Sequence, residues 1–252
     1  METVVGYRAE IAAVPIKERI QNYWSERSEN FADLRRRELG GEMASLWQAE
    51  IKKYIPMDRP LKILDVGTGS GFFAILLTKS GHQVTGIDLT PSMIEEASRL
   101  ASEQQVDVDF LVMDAENPEF ADESFDVVIS RNLTWTLPHA EYAYQQWCRV
   151  LKKGGILLNF DADYGNEKTT CFGNLPERHI HRQIEMRLLE ECDAIKEELK
   201  ISRYMRPTWD IHTLIDLGIK EIRIDMGVSS RIYTKKDDLY NPTPLFAICA
   251  IK

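Results

Sequence analysis

The 252-residue chain is 44% hydrophobic and 28% charged with a formal net charge of -9, the balance of a globule large enough to build a full core. That sign disfavours nucleic acid as a partner, since a phosphate backbone is gripped by a basic face, and no run of about 18 apolar residues is present to span a membrane. The opening segment is broken by Arg8, Glu10, Pro15 and Lys17 and makes a poor secretory leader, and Cys148, Cys171, Cys192 and Cys249 lack metal-ligand spacing, so a cytoplasmic protein with free thiols and no metal is expected.

Residues 1–56 read as an amphipathic helical cap carrying Tyr23, Trp24, Phe31 and Trp47, closed by Pro56 and Pro60. Short apolar runs then alternate with helical stretches. Strands are predicted at 61–66, 83–87, 108–113, 125–130 and 156–160. A helix over 72–80 stops at Gly81, another starts at Thr90 and Pro91, and a third covers 139–151 before a turn at 152–155. This alternation implies parallel β-α-β units with helices on both faces of a sheet. Residues 166–205 read as a long charged helical insertion and 208–217 as a further helix. Two strands, 220–226 and 245–251, can pair as an antiparallel hairpin with no helical period between them. The expected organisation is a cap (1–56), a Rossmann-like core (57–165), a helical lid (166–207) and a helix with a hairpin completing the core sheet (208–252).

The sharpest local signal is Asp65-Val66-Gly67-Thr68-Gly69-Ser70-Gly71 between a strand and a helix. Glycines there allow a tight turn and close approach of a ligand at the crevice beyond the strand ends. A dinucleotide fingerprint wants its third glycine where Phe72 stands. A pyrophosphate would also be repelled by Asp65, whereas the net-positive donor S-adenosylmethionine would be helped by it. Asp88 ends the second strand, where a carboxylate accepts hydrogen bonds from a ribose diol. Asp114 ends the third, placed to accept from an adenine amino group with Ala115 offering its backbone, and Met93 is placed to pack on the adenine face.

Together these residues resemble the class I S-adenosylmethionine-dependent methyltransferases, especially the UbiE/type 11 group. The resemblance runs from about Leu61 to Asp163 through ILDVGTGSG, GIDLTPSMIEEA, VMDAE, FDVVISRN and RVLKKGGILLNFD. It implies a seven-stranded, mostly parallel sheet with an antiparallel last strand. It also implies that Asp65, Gly67, Thr68, Gly69 and Gly71 form the methionine-side loop, that Asp88 and Leu89 meet the ribose, and that Asp114 and Ala115 flank adenine. Arg131 and Asn132 would line the methyl-transfer side. Arg-Asn-Leu-Thr at 131–134 departs from the Asn-Pro-Pro-Tyr signature of base-amino methylation.

In-line methyl transfer from a sulfonium needs mainly alignment and exclusion of water, and orientation alone supplies roughly 7–11 kcal/mol. A general base adds about 10²–10⁴-fold where the acceptor needs one. Asn132, Trp135, Asp161 and Tyr164, from strand ends, are the catalytic candidates. Tyr23, Trp24 and Arg27 offer a lid, or simply a packed helix. His179 and His181 read as solvated surface, and Trp209 as core. The leading reading is methyl transfer to a small-molecule acceptor. The alternatives are a catalytically silent donor-binding module and an NAD(P)-dependent oxidoreductase.

Overall fold

The computed structural model describes residues 14–170, 175–177 and 179–252. Helix α1 (Ile16–Leu39) starts directly after Pro15, and its buried residues Ile20, Tyr23, Arg27, Arg35 and Glu38 recur at helical spacing. Helix α2 (Glu42–Ile51) buries Met43, Trp47 and Ile51, one residue per turn. The first part of the expected cap lies outside the described residues.

Seven strands follow: β1 (Lys62–Val66), β2 (Gln83–Asp88), β3 (Asp109–Val112), β4 (Phe125–Arg131), β5 (Leu151–Ala162), β6 (Glu221–Asp225) and β7 (Leu245–Ile251). They form one sheet in the order β3-β2-β1-β4-β5-β7-β6, parallel except at β7, which runs antiparallel to both its neighbours. The helices α3 (Phe72–Lys79), α4 (Pro91–Glu103) and α5 (Ala140–Val150) make the crossovers. Strand alternation divides the core in two. Leu64, Val66, Val128 and Leu157 pack with Tyr144 and Trp147 of α5 on one face. Ile63, Val127, Ile129 and Leu158 pack with Trp47, Ile51 and Phe73 of α2 and α3 on the other.

Three expectations change. The turn expected at 152–155 is part of β5, bulged where its register against β4 shifts between Phe125 and Val127. The end of β7 holds it there, through Gly154 N–H to Lys252 O at 2.8 Å and Lys252 N–H to Gly155 O at 3.0 Å. Between β6 and β7 lies a short helix, α8 (Val228–Ile232), which buries Val228 and Ile232. The 166–205 segment is broken rather than one long helix. It carries α6 (Met186–Glu198) between 3-10 turns at Ile180–Gln183 and Lys200–Arg203, then leads to α7 (Thr208–Asp216). Cys171 lies outside the described residues. No helix among them is long and apolar enough to cross a membrane.

Candidate functional site

The carboxyl ends of β1 to β4 open onto one crevice. At its floor the chain bends through Gly67, Gly69 and Gly71, all at positive φ. Two of these positions exclude a side chain. A Cβ on Gly67 would stand 2.6 Å from Leu133 Cδ1, and one on Gly71, the N-cap of α3, 2.8 Å from Phe110 Cζ. Two carboxylates hold the bend. Asp65 accepts from Thr68 Oγ1 at 2.6 Å and from the Ala74 N–H at 3.1 Å. Asp88 accepts from the N–H groups of Gly69 at 3.0 Å and Thr90 at 2.9 Å. Burial raises the Asp65 carboxyl to about 7 against the pull of these donors, and raises Asp88 as well.

The place of Asp65 corrects the charge argument made for it. It falls on the α3 face of β1 beside Ile63, is 2% exposed, and shapes the loop from beneath. Thr68 and Gly71 share that supporting position, and none of the three lines a cavity wall. The remaining donor-site candidates do. A small cavity of about 50 Å³ is bounded by Gly67, Asp88, Leu89, Asp114 and Ala115, with Lys17, Ile20 and Trp24 of α1 across it. A larger one of about 210 Å³ shares Gly67, Trp24, Leu133 and Thr136 with the first and adds Gly69, Met93, Arg131, Asn132, Trp135 and Tyr164.

Helix α1 roofs both cavities. Lys17 Nζ donates at 2.6 Å to Asp114 Oδ2 and to Glu116 Oε2, and Gln21 Nε2 donates to Leu89 O at 2.9 Å. The Trp24 and Phe31 rings meet edge-on at 5.5 Å, and Phe31 reaches within 3.0 Å of where a Gly69 Cβ would stand. Lys17 thus sits on the carboxylate that the sequence offers to adenine.

Asn132 holds a left-handed backbone at φ 55°, uncommon outside glycine, just where β4 ends. Its N–H donates to Phe160 O at 2.8 Å, and its Oδ1 accepts from the Tyr164 hydroxyl at 3.1 Å. Asn241 Nδ2 donates to the same hydroxyl at 2.8 Å, and the Trp135 and Tyr164 rings lie 5.4 Å apart. Burial raises the Tyr164 pKa far above the ordinary phenol range, so this hydroxyl stays protonated and serves as a donor, not a base.

Asp161 departs from the catalytic role expected of it. It is fully buried on the opposite face of β5 from Phe160, accepting from Arg206 Nη1 at 2.8 Å and from the Trp135 N–H at 3.2 Å. Arg206 also donates to both Asp210 oxygens, at 3.0 and 2.6 Å, and the Tyr144 hydroxyl donates to Asp210 at 2.7 Å. Asn159 continues the chain, donating to Tyr144 and Thr134 and accepting from Ser130. This network underlies the crevice without facing it.

Arg131 lines the larger cavity, but its guanidinium is committed. It donates to both Glu38 oxygens at 3.0 Å and to the Tyr233 hydroxyl at 3.2 Å, and lies 4.4 Å from the Trp47 ring. Arg35 approaches the same carboxylate at 2.5 Å. Burial opposes the charged form of Glu38, yet Arg131 and Arg35 overcome it and hold its pKa down at about 2. His179 is also a correction. It is 2% exposed and lines the cavity, with Nε2 at 2.6 Å from Tyr240 O. The side chain of His181 is not described. Neither the Glu38 pairing nor Arg206 was signalled by any motif, because their partners are distant in sequence.

A glycine bend below the ends of four parallel strands, with acidic residues at the tips of β2 and β3, is the arrangement of a Rossmann-like domain, whose ligands bind in the crevice beyond the strand ends. Residues 64–159 match the Methyltransf_11 family model, described as a methyltransferase domain. Over 98 residues the chain is 39% identical to the aklanonic acid methyltransferase DauC of Streptomyces sp., covering 37% of this chain and 44% of that protein. Over 109 residues it is 32% identical to a ubiquinone biosynthesis O-methyltransferase of Coxiella burnetii, covering 42% and 47% respectively. The matched stretch thus spans a little under half of the curated relatives. A Haemonchus contortus phosphoethanolamine N-methyltransferase 2 solved with S-adenosyl-L-methionine superimposes with a TM-score of 0.63 at 19% identity, covering 96% of this chain and 60% of that one. An Aquifex aeolicus S-adenosylmethionine-dependent methyltransferase gives 0.55 at 18% identity, covering 81% and 88%. Over residues 64–159 the chain thus matches a methyltransferase domain, set in the seven-stranded sheet that the resemblance to class I S-adenosylmethionine-dependent methyltransferases implied. The oxidoreductase alternative is set aside by the same match.

Proposed function

We propose that this protein transfers the methyl group of S-adenosylmethionine to a nucleophile on a small molecule held in the larger cavity. The observation that carries this reading is the junction of the two cavities at Gly67, Trp24, Leu133 and Thr136. A donor lying along Asp114, Asp88 and the glycine bend would present its sulfur at that junction. When bound, the donor supplies a methyl group already activated as a sulfonium. The chain's own residues then have to align the acceptor and keep water out. Asp88 accepts the ribose hydroxyls, Asp114 the adenine amino group, and the Gly67–Gly69 backbone meets the methionine part. Leu133, Trp135 and Met93 wall the transfer point, and Asn132 with Tyr164 presents a protonated hydrogen-bonding edge to the acceptor.

Seating the adenine amino group on Asp114 exchanges that carboxylate's contact with Lys17, whose second ion pair, to Glu116, can stay in place.

The test is titration calorimetry with S-adenosylhomocysteine, expected to show saturable one-to-one heat. Silence in folded protein ends this reading. Asp88→Ala should weaken that binding more than tenfold, because it removes the ribose acceptor and frees the Gly69 and Thr90 amides together. The domain should stay folded, with a lowered thermal midpoint because the same carboxylate holds the glycine bend. Unchanged affinity would remove Asp88 from the ribose site.

A further inference from the structure

The larger cavity carries a positive charge that no carboxylate among the described residues neutralises. Arg27 is 5% exposed and lines this cavity. Its Nη1 donates to the Tyr23 hydroxyl at 2.9 Å, while its Nε is buried with no hydrogen-bond partner. It makes no ion pair among the described residues. The other buried cations are paired: Arg206 with Asp161 and Asp210, Lys196 with Asp193, and Arg35 and Arg131 with Glu38. Even that last group is unbalanced, with two guanidiniums against one carboxylate on the same cavity wall. Asp238, which also lines the cavity, is taken by Arg37 at 2.9 Å. So a chain with a net charge of -9 turns a positive interior toward the place where the acceptor would sit.

A buried charge without a counter-ion is costly, and folded proteins hold one chiefly where a ligand completes the pair. We propose that Arg27 receives an oxyanion, a carboxylate or phosphate, belonging to the methyl acceptor. The substrate class is therefore an anionic small molecule, bound with the Arg27 fork on its charged end and the Tyr23 hydroxyl beside it. This rests on the methyltransferase reading above, but its own evidence is the unpaired guanidinium. The donor's own carboxylate is the other source of the same chemistry, and the experiment separates the two.

The S-adenosylhomocysteine-saturated protein is titrated with inorganic phosphate, and with benzoate against benzamide, following the thermal midpoint. The expected result is a rise with an oxyanion, none with benzamide, and at least a tenfold weaker oxyanion response in Arg27→Gln. Arg27→Gln should bind S-adenosylhomocysteine within threefold of the parent. Without ligands, Arg27→Met should raise the midpoint, since it removes an uncompensated buried charge, whereas loss of a purely structural arginine would lower it. An oxyanion response that is absent, or that survives in Arg27→Gln, overturns the proposal. So does a tenfold loss of S-adenosylhomocysteine affinity in Arg27→Gln, which would give the arginine to the donor. The oxyanion titration repeated without S-adenosylhomocysteine reads this site even if donor binding fails, so the two failures are told apart.

Discussion

Glu38→Gln is expected to cost about 3–5 kcal/mol of folding stability, the range for removing one partner of a buried charge cluster. The glutamine fills the same space but leaves Arg35 and Arg131 facing each other across it with no negative charge. Urea denaturation at neutral pH measures the loss, and a change below about 1 kcal/mol would show that the two guanidiniums are neutralised elsewhere. The same residue sets a pH dependence in the parent protein. Its folded pKa of about 2 lies below the ordinary 4.5, so its contribution is complete above the unfolded value and is lost as pH falls through the folded one. Linkage puts that contribution at about 3 kcal/mol. Between pH 5 and pH 2 the parent should therefore lose stability that Glu38→Gln does not lose. Parallel slopes in the two proteins would refute this.

Arg206→Met should be comparably severe, about 3–5 kcal/mol at neutral pH, because it strands Asp161 and Asp210 together inside the protein. Burial already raises the Asp161 pKa, and Arg206 is what lowers it. Without the arginine the Asp161 carboxyl rises further and takes a proton. A carboxyl raised above its unfolded pKa contributes stability at low pH that is lost as pH rises. The deficit of Arg206→Met should accordingly shrink between pH 7 and pH 5, opposite in sign to the Glu38 effect. A deficit that is flat over this range would mean that both carboxyls stay charged.

Much of the fold was legible along the chain, and for definite reasons. Each β-α-β unit is local: β1, the glycine bend and α3 are adjacent, so apolar period and turn chemistry report them directly. The antiparallel pairing of β6 and β7 was legible because β6 alternates charged and apolar residues, β7 is a continuous apolar run, and no helical period separates them. Errors fell where a distant partner decided. Lys152 to Gly155 carry turn residues, yet Lys252, just past β7, draws them into β5. The short helix α8 has too few residues to show a period, and forms because Val228 and Ile232 reach the core beside α2.

The candidate site divides in the same way. Position after a strand identified Asp88, Asp114 and Asn132, since the end of a parallel strand faces the crevice whatever surrounds it. Strand position alone could not tell Tyr164, which faces the cavity from a 3-10 turn past the end of β5, from Asp161, which alternation along β5 and the arrival of Arg206 from the insertion bury on the other side. His179 looked like surface because its burial depends on the 240–242 segment folding against it.

By itself, then, the sequence determined the sheet, its glycine bend and the acidic strand ends that suit an adenosyl donor. Each strand, helix and turn is set by a local pattern, and their alternation implies the sheet. Only the tertiary structure decided which charges are paired. Glu38 meets Arg131, Arg206 meets Asp161, and Arg27 meets no carboxylate among the described residues, because α1 and the insertion come to the crevice from distant parts of the chain. Charge compensation depends on distance in space, and local sequence patterns do not encode it.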